Sequence, residues 1–268
     1  MSRDPAPDDD PAPPVTGAAL DADDTLAVEI AALARRHRRV NGLVMTAVNW
    51  VGGKFEAVLD LVPKGVVEQA VTRALELAMA GAAQGERLPD PGRHGTMAAV
   101  IATGAAGGAG GFATALPELP VTVMVILHAI RQEARAEGFD PDRPEIRGEC
   151  LKVFAAGGPL EGDDGIDTGF FSVRLATTGP AVQQIIATVA PKLATALGQK
   201  LAAQTVPLLG AVTGAALNAT YLDYYRNMAR IRFALLRLSA AYGEARVMAD
   251  FRAAAAPPRL KKPAAGPA

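Results

Sequence analysis

Glu118 is the only acid between Arg93 and Arg131, and it sits in the segment Leu116-Pro-Glu-Leu-Pro120. A carboxyl group in apolar surroundings holds its proton more tightly and can serve as an acid or base near neutrality. The same residue just ahead of Val121 can instead cap a helix, because unpaired N–H groups and the helix dipole favour negative charge there. The local sequence favours the cap. Arg174, Asp223 and Arg230 are the other polar residues set in apolar stretches. With Glu118 they make the one constellation that a hydrolase could use, provided a pocket between helices gathers them. Asp223 also precedes Arg226 by three residues, a spacing that permits a helix-surface ion pair worth only a few tenths of a kcal/mol.

The run Gly104-Ala-Ala-Gly107-Gly108-Ala-Gly110-Gly111 invites a phosphate-loop reading, and from Gly108 to Ala113 it fits the loose dinucleotide pattern GxGxxA. No Gly-Lys-Ser/Thr follows, which excludes a nucleoside-triphosphate loop. Pro117 would also truncate the helix that a dinucleotide fold needs after its glycines. Gly104/Gly108 and Gly107/Gly111 are spaced by four, as are Gly210, Gly214 and Asn218. Small residues at that period let two helix backbones approach closely, and packing is the favoured reading.

His37, His94 and His128 are scattered, with neither an HExxH pair nor a second cysteine to complete a metal set. Cys150, beside Leu151 and Val153, reads as a buried structural thiol. Glu161, Asp163, Asp164 and Asp167 lack the ligand order of a calcium loop and read as a solvated segment. No Gly-x-Ser-x-Gly elbow is present. No cofactor is expected.

The elements that must position these residues read as helices throughout. One is predicted from Asp24, with Leu26, Ile30, Leu33 and His37 on one face and Arg35, Arg36, Arg38 and Arg39 at its basic end, stopped by Asn41-Gly42. That basic run is read as a solvated helix end, with anionic lipid or a partner as the alternative. Others are predicted over Leu43–Leu61, from Val66 to an end near Gly81–Gly85, over Val121–Gly138 and over Asp142–Ala155. Two more are predicted over Pro180–Ala203, kinked at Pro191, and over Leu217–Tyr242. Glu86–Gly95 is expected to be a loop. Two stretches without charge, Gly95–Pro117 and Leu201–Leu222, approach bilayer-spanning length, though Gly, Ala and Thr dilute them. Burial inside a bundle is favoured over spanning.

Half of the 268 residues are apolar but only 5% are aromatic, which suits close-packed helices better than sheets. A net charge of -1 argues against nucleic acid as a partner. Pro- and Asp-rich residues 1–20 and the Ala/Pro/Lys tail 253–268 are expected to lack a packed structure, leaving 21–252 as one domain. The N-terminus has no basic-then-apolar signal sequence.

Several pieces in order resemble the bacterial EcsC family. They are GAAGGAGG at 104–111, Glu118-Leu-Pro120, Leu127-His-Ala-Ile130, Ala134–Gly138, Cys150–Gly158, Gly169–Arg174, Val206–Asn218 and Asp223–Arg230. The motif residues Gly107, Gly108, Gly111, Glu118, Pro120, His128, Arg174, Asn218, Asp223 and Arg230 are therefore the candidate functional positions. Similar sequences commonly carry Arg at the place of His128, and many have Gly-His at the place of Ile231-Arg232. The resemblance implies a helical protein associated with the inner membrane or the export machinery. The resulting expectation is an all-α, compact bundle of about eight helices, its two Gly/Ala-rich apolar helices buried centrally or membrane-associated. Such a protein would be cytoplasmic or peripheral at the inner membrane's cytoplasmic face, more an accessory or interaction protein than an enzyme. Membrane lipid or an inner-membrane protein is the expected partner; the hydrolase is the alternative.

Overall fold

The structure, a computed structural model, describes residues 22–59, 64–83, 92–109, 112–154, 184, 186–195, 197 and 209–256. Seven bounded helices follow one another: α1 (Ala22–Leu59), α2 (Lys64–Ala83), α3 (Gly92–Ala109), α4 (Phe112–Ala136), α5 (Pro144–Phe154), α6 (Leu209–Tyr242) and α7 (Glu244–Ala255). Residues 186–195 are helical as well, and no strand occurs among the described residues. The expected all-α bundle is thus the fold. The expected loop 161–167, the segment around Arg174, both tails up to Leu20 and beyond Ala256, and the first part of the 201–222 stretch lie outside the described residues.

The centre of the bundle is α6, whose residues from Tyr221 to Leu235 are buried on nearly every side. A helix buried all round sits in the middle of a fold. Around it α3 and α4 make the closest packing, α5 adds Phe154 against Tyr225 with ring centroids 5.0 Å apart, and α2 covers α4 from outside. Val67, Val71, Ala74 and Leu75 of α2, spaced by three and four, form its buried stripe, and with Leu119, Val123, Ile126 and Ile130 of α4 they belong to one continuous core.

Several boundaries differ from expectation. α1 runs straight through Asn41-Gly42 and Gly52-Gly53, joining two predicted helices into one of 38 residues. A glycine costs a helix interior only about 1 kcal/mol relative to alanine, and propagation is cheap once a helix is nucleated. α4 likewise begins nine residues before Val121 and contains both Pro117 and Pro120. Each proline removes a hydrogen bond to the carbonyl four residues back, at about 3 kcal/mol, and burial of Leu119, Val123 and Leu127 along the same helix offsets that cost. Glu118 is therefore inside a helix rather than at its cap. α3 starts at Gly92, which takes four residues from the expected loop.

The end of α4 follows the sequence closely. Gly138 takes a left-handed φ of 87°, the N–H of Phe139 donates to the Ala134 carbonyl at 3.0 Å, and that of Gly138 to Arg135 at 3.0 Å. These are the paired bonds of a Schellman cap, and Phe139 then stacks against Phe233 of α6 at 5.6 Å. A second left-handed glycine, Gly243 at φ 89°, separates α6 from α7. That last helix was not foreseen, and it reaches three residues into the expected tail. Its Val247, Met248 and Phe251 are buried, and Phe251 meets the His37 ring of α1 edge-on at 5.8 Å.

Candidate functional site

The two glycine seams read from the sequence meet one another. The backbone carbonyl of Val100 on α3 accepts a 3.0 Å hydrogen bond from Asn218 Nδ2 on α6. One turn further along α3, a Cβ on Gly104 would fall 2.4 Å from the Gly214 carbonyl oxygen and 2.7 Å from Asn218 Nδ2. The helices therefore run antiparallel, with backbones too close for any side chain at 104. This is close approach through small residues, and no phosphate-binding turn exists at 104–109, which are helical.

The glycine at 107 opens the space that Glu118 fills. A Cβ there would lie 2.7 Å from Glu118 Oε2. The carboxyl group is buried; Glu118 Oε1 accepts from Asn218 Nδ2 at 2.7 Å and from the Thr122 hydroxyl one turn along α4. Thr114 Oγ1 donates to the Gly107 carbonyl at 2.6 Å. Asn218 thus ties α6 to a backbone carbonyl of α3 and to a carboxyl group of α4 at once. Such a buried polar junction fixes the register of three helices, because any slip would strand its donors and acceptors in an apolar interior. Chemically it holds a carboxyl oxygen between two neutral donors.

Asp223 and Arg230 belong elsewhere. Five residues past Asn218, Asp223 is turned about 140° around α6, where its Oδ2 accepts from Asn227 Nδ2 at 3.1 Å. Arg230 Nε lies 3.2 Å from Glu133 Oε2 of α4. Glu118 and Asp223 thus sit in separate polar clusters. His128 is half-buried on α4, Pro120 lies within α4, Gly108 is buried in α3, and Gly111 and Arg174 fall outside the described residues.

A third polar centre escaped sequence reading. Glu149 of α5 is wholly buried, with Arg232 of α6 donating through Nε and Nη2 to its Oε2 at 2.7 and 2.6 Å and Lys152 Nζ to its Oε1 at 3.0 Å. The partners stand 83 positions apart, and no local pattern links them. Only Arg232 had drawn notice, as a departure from similar sequences.

Cys150, next to Glu149, is buried as expected, and burial pushes its thiol from an ordinary 9.0 up to about 12. A thiol so held is not a nucleophile near neutrality. Since the folded value is raised, its contribution to stability is complete below pH 9.0 and declines as pH rises towards about 12. Native protein at pH 8 is expected to react with an aromatic disulfide reagent at least about a hundredfold more slowly than protein in 6 M guanidinium, as followed by absorbance. Rapid native labelling would contradict the buried thiol. Among the described residues no group of three or more His, Cys, Asp or Glu side chains is arranged to hold a metal ion.

No match was found among curated proteins or among solved structures. The family model of the EcsC protein family matches residues 83–238, more than half of the chain. That range takes in α3 to α5, α6 but for its last four residues, and the three polar centres just described, while α1, nearly all of α2 and α7 lie outside it. The glycine seams, the Glu118–Asn218 junction and the buried stretch Tyr221–Leu235 of α6 all fall within the matched region, and the chain belongs to the EcsC protein family.

Proposed function

We propose that this EcsC protein is a non-enzymatic accessory protein that adsorbs to the cytoplasmic face of the inner membrane and serves export or envelope processes. The observation that carries the reading is an uncharged outer surface on the three helices that meet at Glu118. On α3 no charged residue follows Arg93, and Ala98, Ile101, Ala102 and Ala106 are exposed. On α6 the first fourteen residues are uncharged, with Val212 74% exposed and Ala216 open to solvent; α4 adds the exposed Val121. Exposed apolar side chains grouped on adjacent helices are the usual mark of a surface that contacts lipid or protein. Among the described residues no helix is long and apolar enough to cross a membrane, so the contact proposed is shallow, with apolar faces entering the headgroup boundary.

Flotation with vesicles of phosphatidylethanolamine and phosphatidylglycerol tests this. The full chain is expected to float with lipid. The double variant Ile101→Glu/Val212→Glu is expected to lose at least about tenfold in bound fraction with unchanged helical circular dichroism, because two apolar contacts are replaced by charge. Wild-type protein that stays at the bottom of the gradient would end the proposal.

A further inference from the structure

Two arginines on α6 are almost completely buried, and they are treated very differently. Arg232 is held by Glu149 as described. Arg226 is 2% exposed, yet its one described hydrogen bond is a long 3.3 Å donation from Nη2 to the carbonyl of Arg93. A guanidinium has five donors and a fixed charge. Burying it without an ion pair is costly unless a counter-charge arrives.

Its surroundings add positive charge. Arg93 lies in the first turn of α3, beside His94, and that turn holds no acid although it is the positive end of the helix dipole. Arg36 of α1 donates to Asn227 Oδ1 on α6. Arg230, one turn beyond Arg226, pairs with Glu133. Burial holds the Arg36 guanidinium below its usual range, and Arg230 and Arg93 push in the same direction while Glu133 opposes them. Arg226 is lowered first by burial and then by Arg93, against the pull of Glu133 and Asp223. Among the described residues, Arg36, Arg93, Arg226 and Arg230 from α1, α3 and α6, with Arg39 acting on Arg36 as well, thus outnumber the two carboxylates Glu133 and Asp223.

We infer that Arg226, with Arg36, Arg93 and Arg230, forms a binding site for a phosphate monoester or inorganic phosphate, whose negative charge offsets that positive surplus. Arginine forks suit tetrahedral oxyanions because two N–H groups meet two oxygens in parallel. The first-turn N–H groups of α3 add to the same field. Glu133 and Asn227 then act as positioning residues, holding Arg230 and Arg36 on either side of Arg226. The site stands independently of membrane adsorption through the apolar helices.

The test uses the full chain, melted in phosphate-free buffer with inorganic phosphate added at constant ionic strength and chloride as the control. At about a hundred times the Kd, phosphate is expected to raise the Tm by about 5–10 °C, saturably. Arg226→Met is expected to melt no lower than wild type without phosphate, since it removes an unpaired buried charge, and to lose the phosphate response. A merely structural arginine would show the opposite, a lowered Tm and no phosphate effect in either protein. Arg93→Gln, at an exposed position, provides a second variant, with phosphate affinity expected to fall at least about tenfold at unchanged basal Tm. A parallel arm replaces phosphate with phosphatidylcholine vesicles, with or without phosphatidic acid. An Arg226-dependent response only to phosphatidic acid assigns the phosphate to a lipid headgroup; a response to inorganic phosphate assigns it to a soluble ligand. Adsorption to pure phosphatidylcholine is expected to survive Arg226→Met, so its loss in wild type would count against the apolar surface alone. A wild-type protein unmoved by either phosphate source, or variants that respond as fully as wild type, would overturn the site.

Discussion

Glu149→Ala is expected to destabilise the protein by about 3–5 kcal/mol, because it leaves the Arg232 guanidinium buried without the carboxylate that its Nε and Nη2 meet. At about 2–4 °C per kcal/mol for a chain of this size, the Tm should fall by roughly 10 °C. Arg232 cannot escape by losing its proton, and both side chains are essentially inaccessible to water. Lys152, 17% exposed, can swing outward and regain hydration, so Lys152→Ala should cost far less, about 1 kcal/mol. The instructive comparison is the double variant Glu149→Leu/Arg232→Met. Replacing a buried ion pair by apolar groups of similar volume is often neutral or stabilising, so it should recover most of what Glu149→Ala loses. Urea titrations of the four proteins would check this. A Glu149→Ala protein within 1 kcal/mol of wild type would show that the pair is not buried as described.

Gly104→Val is expected to be nearly as damaging, by another route. The atom nearest its Cβ would be a backbone oxygen, Gly214 O at 2.4 Å, and a backbone cannot swing aside as a side chain can. α3 and α6 would have to part, which opens the junction at Asn218 and exposes core on both sides. Overpacking of this kind costs about 1–3 kcal/mol, and breaking the Asn218 hydrogen bonds to Val100 and Glu118 adds about 1 kcal/mol or more for each buried group left unmet. Gly65→Ala is the control. That glycine sits near the start of α2 with nothing within 4 Å of its would-be Cβ, so alanine should stabilise by about 0.4–1 kcal/mol through the unfolded chain. Thermal melts of the two variants should therefore move in opposite directions.

The helices themselves were legible because their apolar residues recur at three and four, as Val67, Val71, Ala74 and Leu75 do in α2. The end of α4 at Gly138 was legible too, since a left-handed cap demands a residue without a side chain. What misled was local punctuation. Asn41-Gly42 and the two prolines of α4 are stop signals of one to a few kcal/mol; cheap helix propagation carried α1 past the first, and burial along α4 outweighed the prolines. The glycine seams pointed correctly to close helix packing, because a four-residue period needs no knowledge of the partner. The partners were another matter. Nothing in the local sequence tells that Glu118 faces Asn218 one hundred positions later, that Glu149 meets Arg232, or that Arg36, Arg93 and Arg226 converge. Thr122 gave no signal at all, being one threonine among many on helical surfaces. Those pairings arise from topology, and a single chain without its fold does not display them.

The first and last helices are fastened to one another: Arg246 of α7 reaches Asp23 at 3.0 Å, Arg38 of α1 donates to the Ala254 carbonyl, and Phe251 covers His37. These contacts join residues more than 210 positions apart. A ribosome emits α1 well before α7, so part of the apolar stripe of α1 stays bare until α7 has been made. A nascent chain in that condition is exposed to aggregation and to chaperone capture until α7 leaves the exit tunnel. Ribosomes stalled before Gly243 should therefore hold a chain whose opening helix is still open to protease.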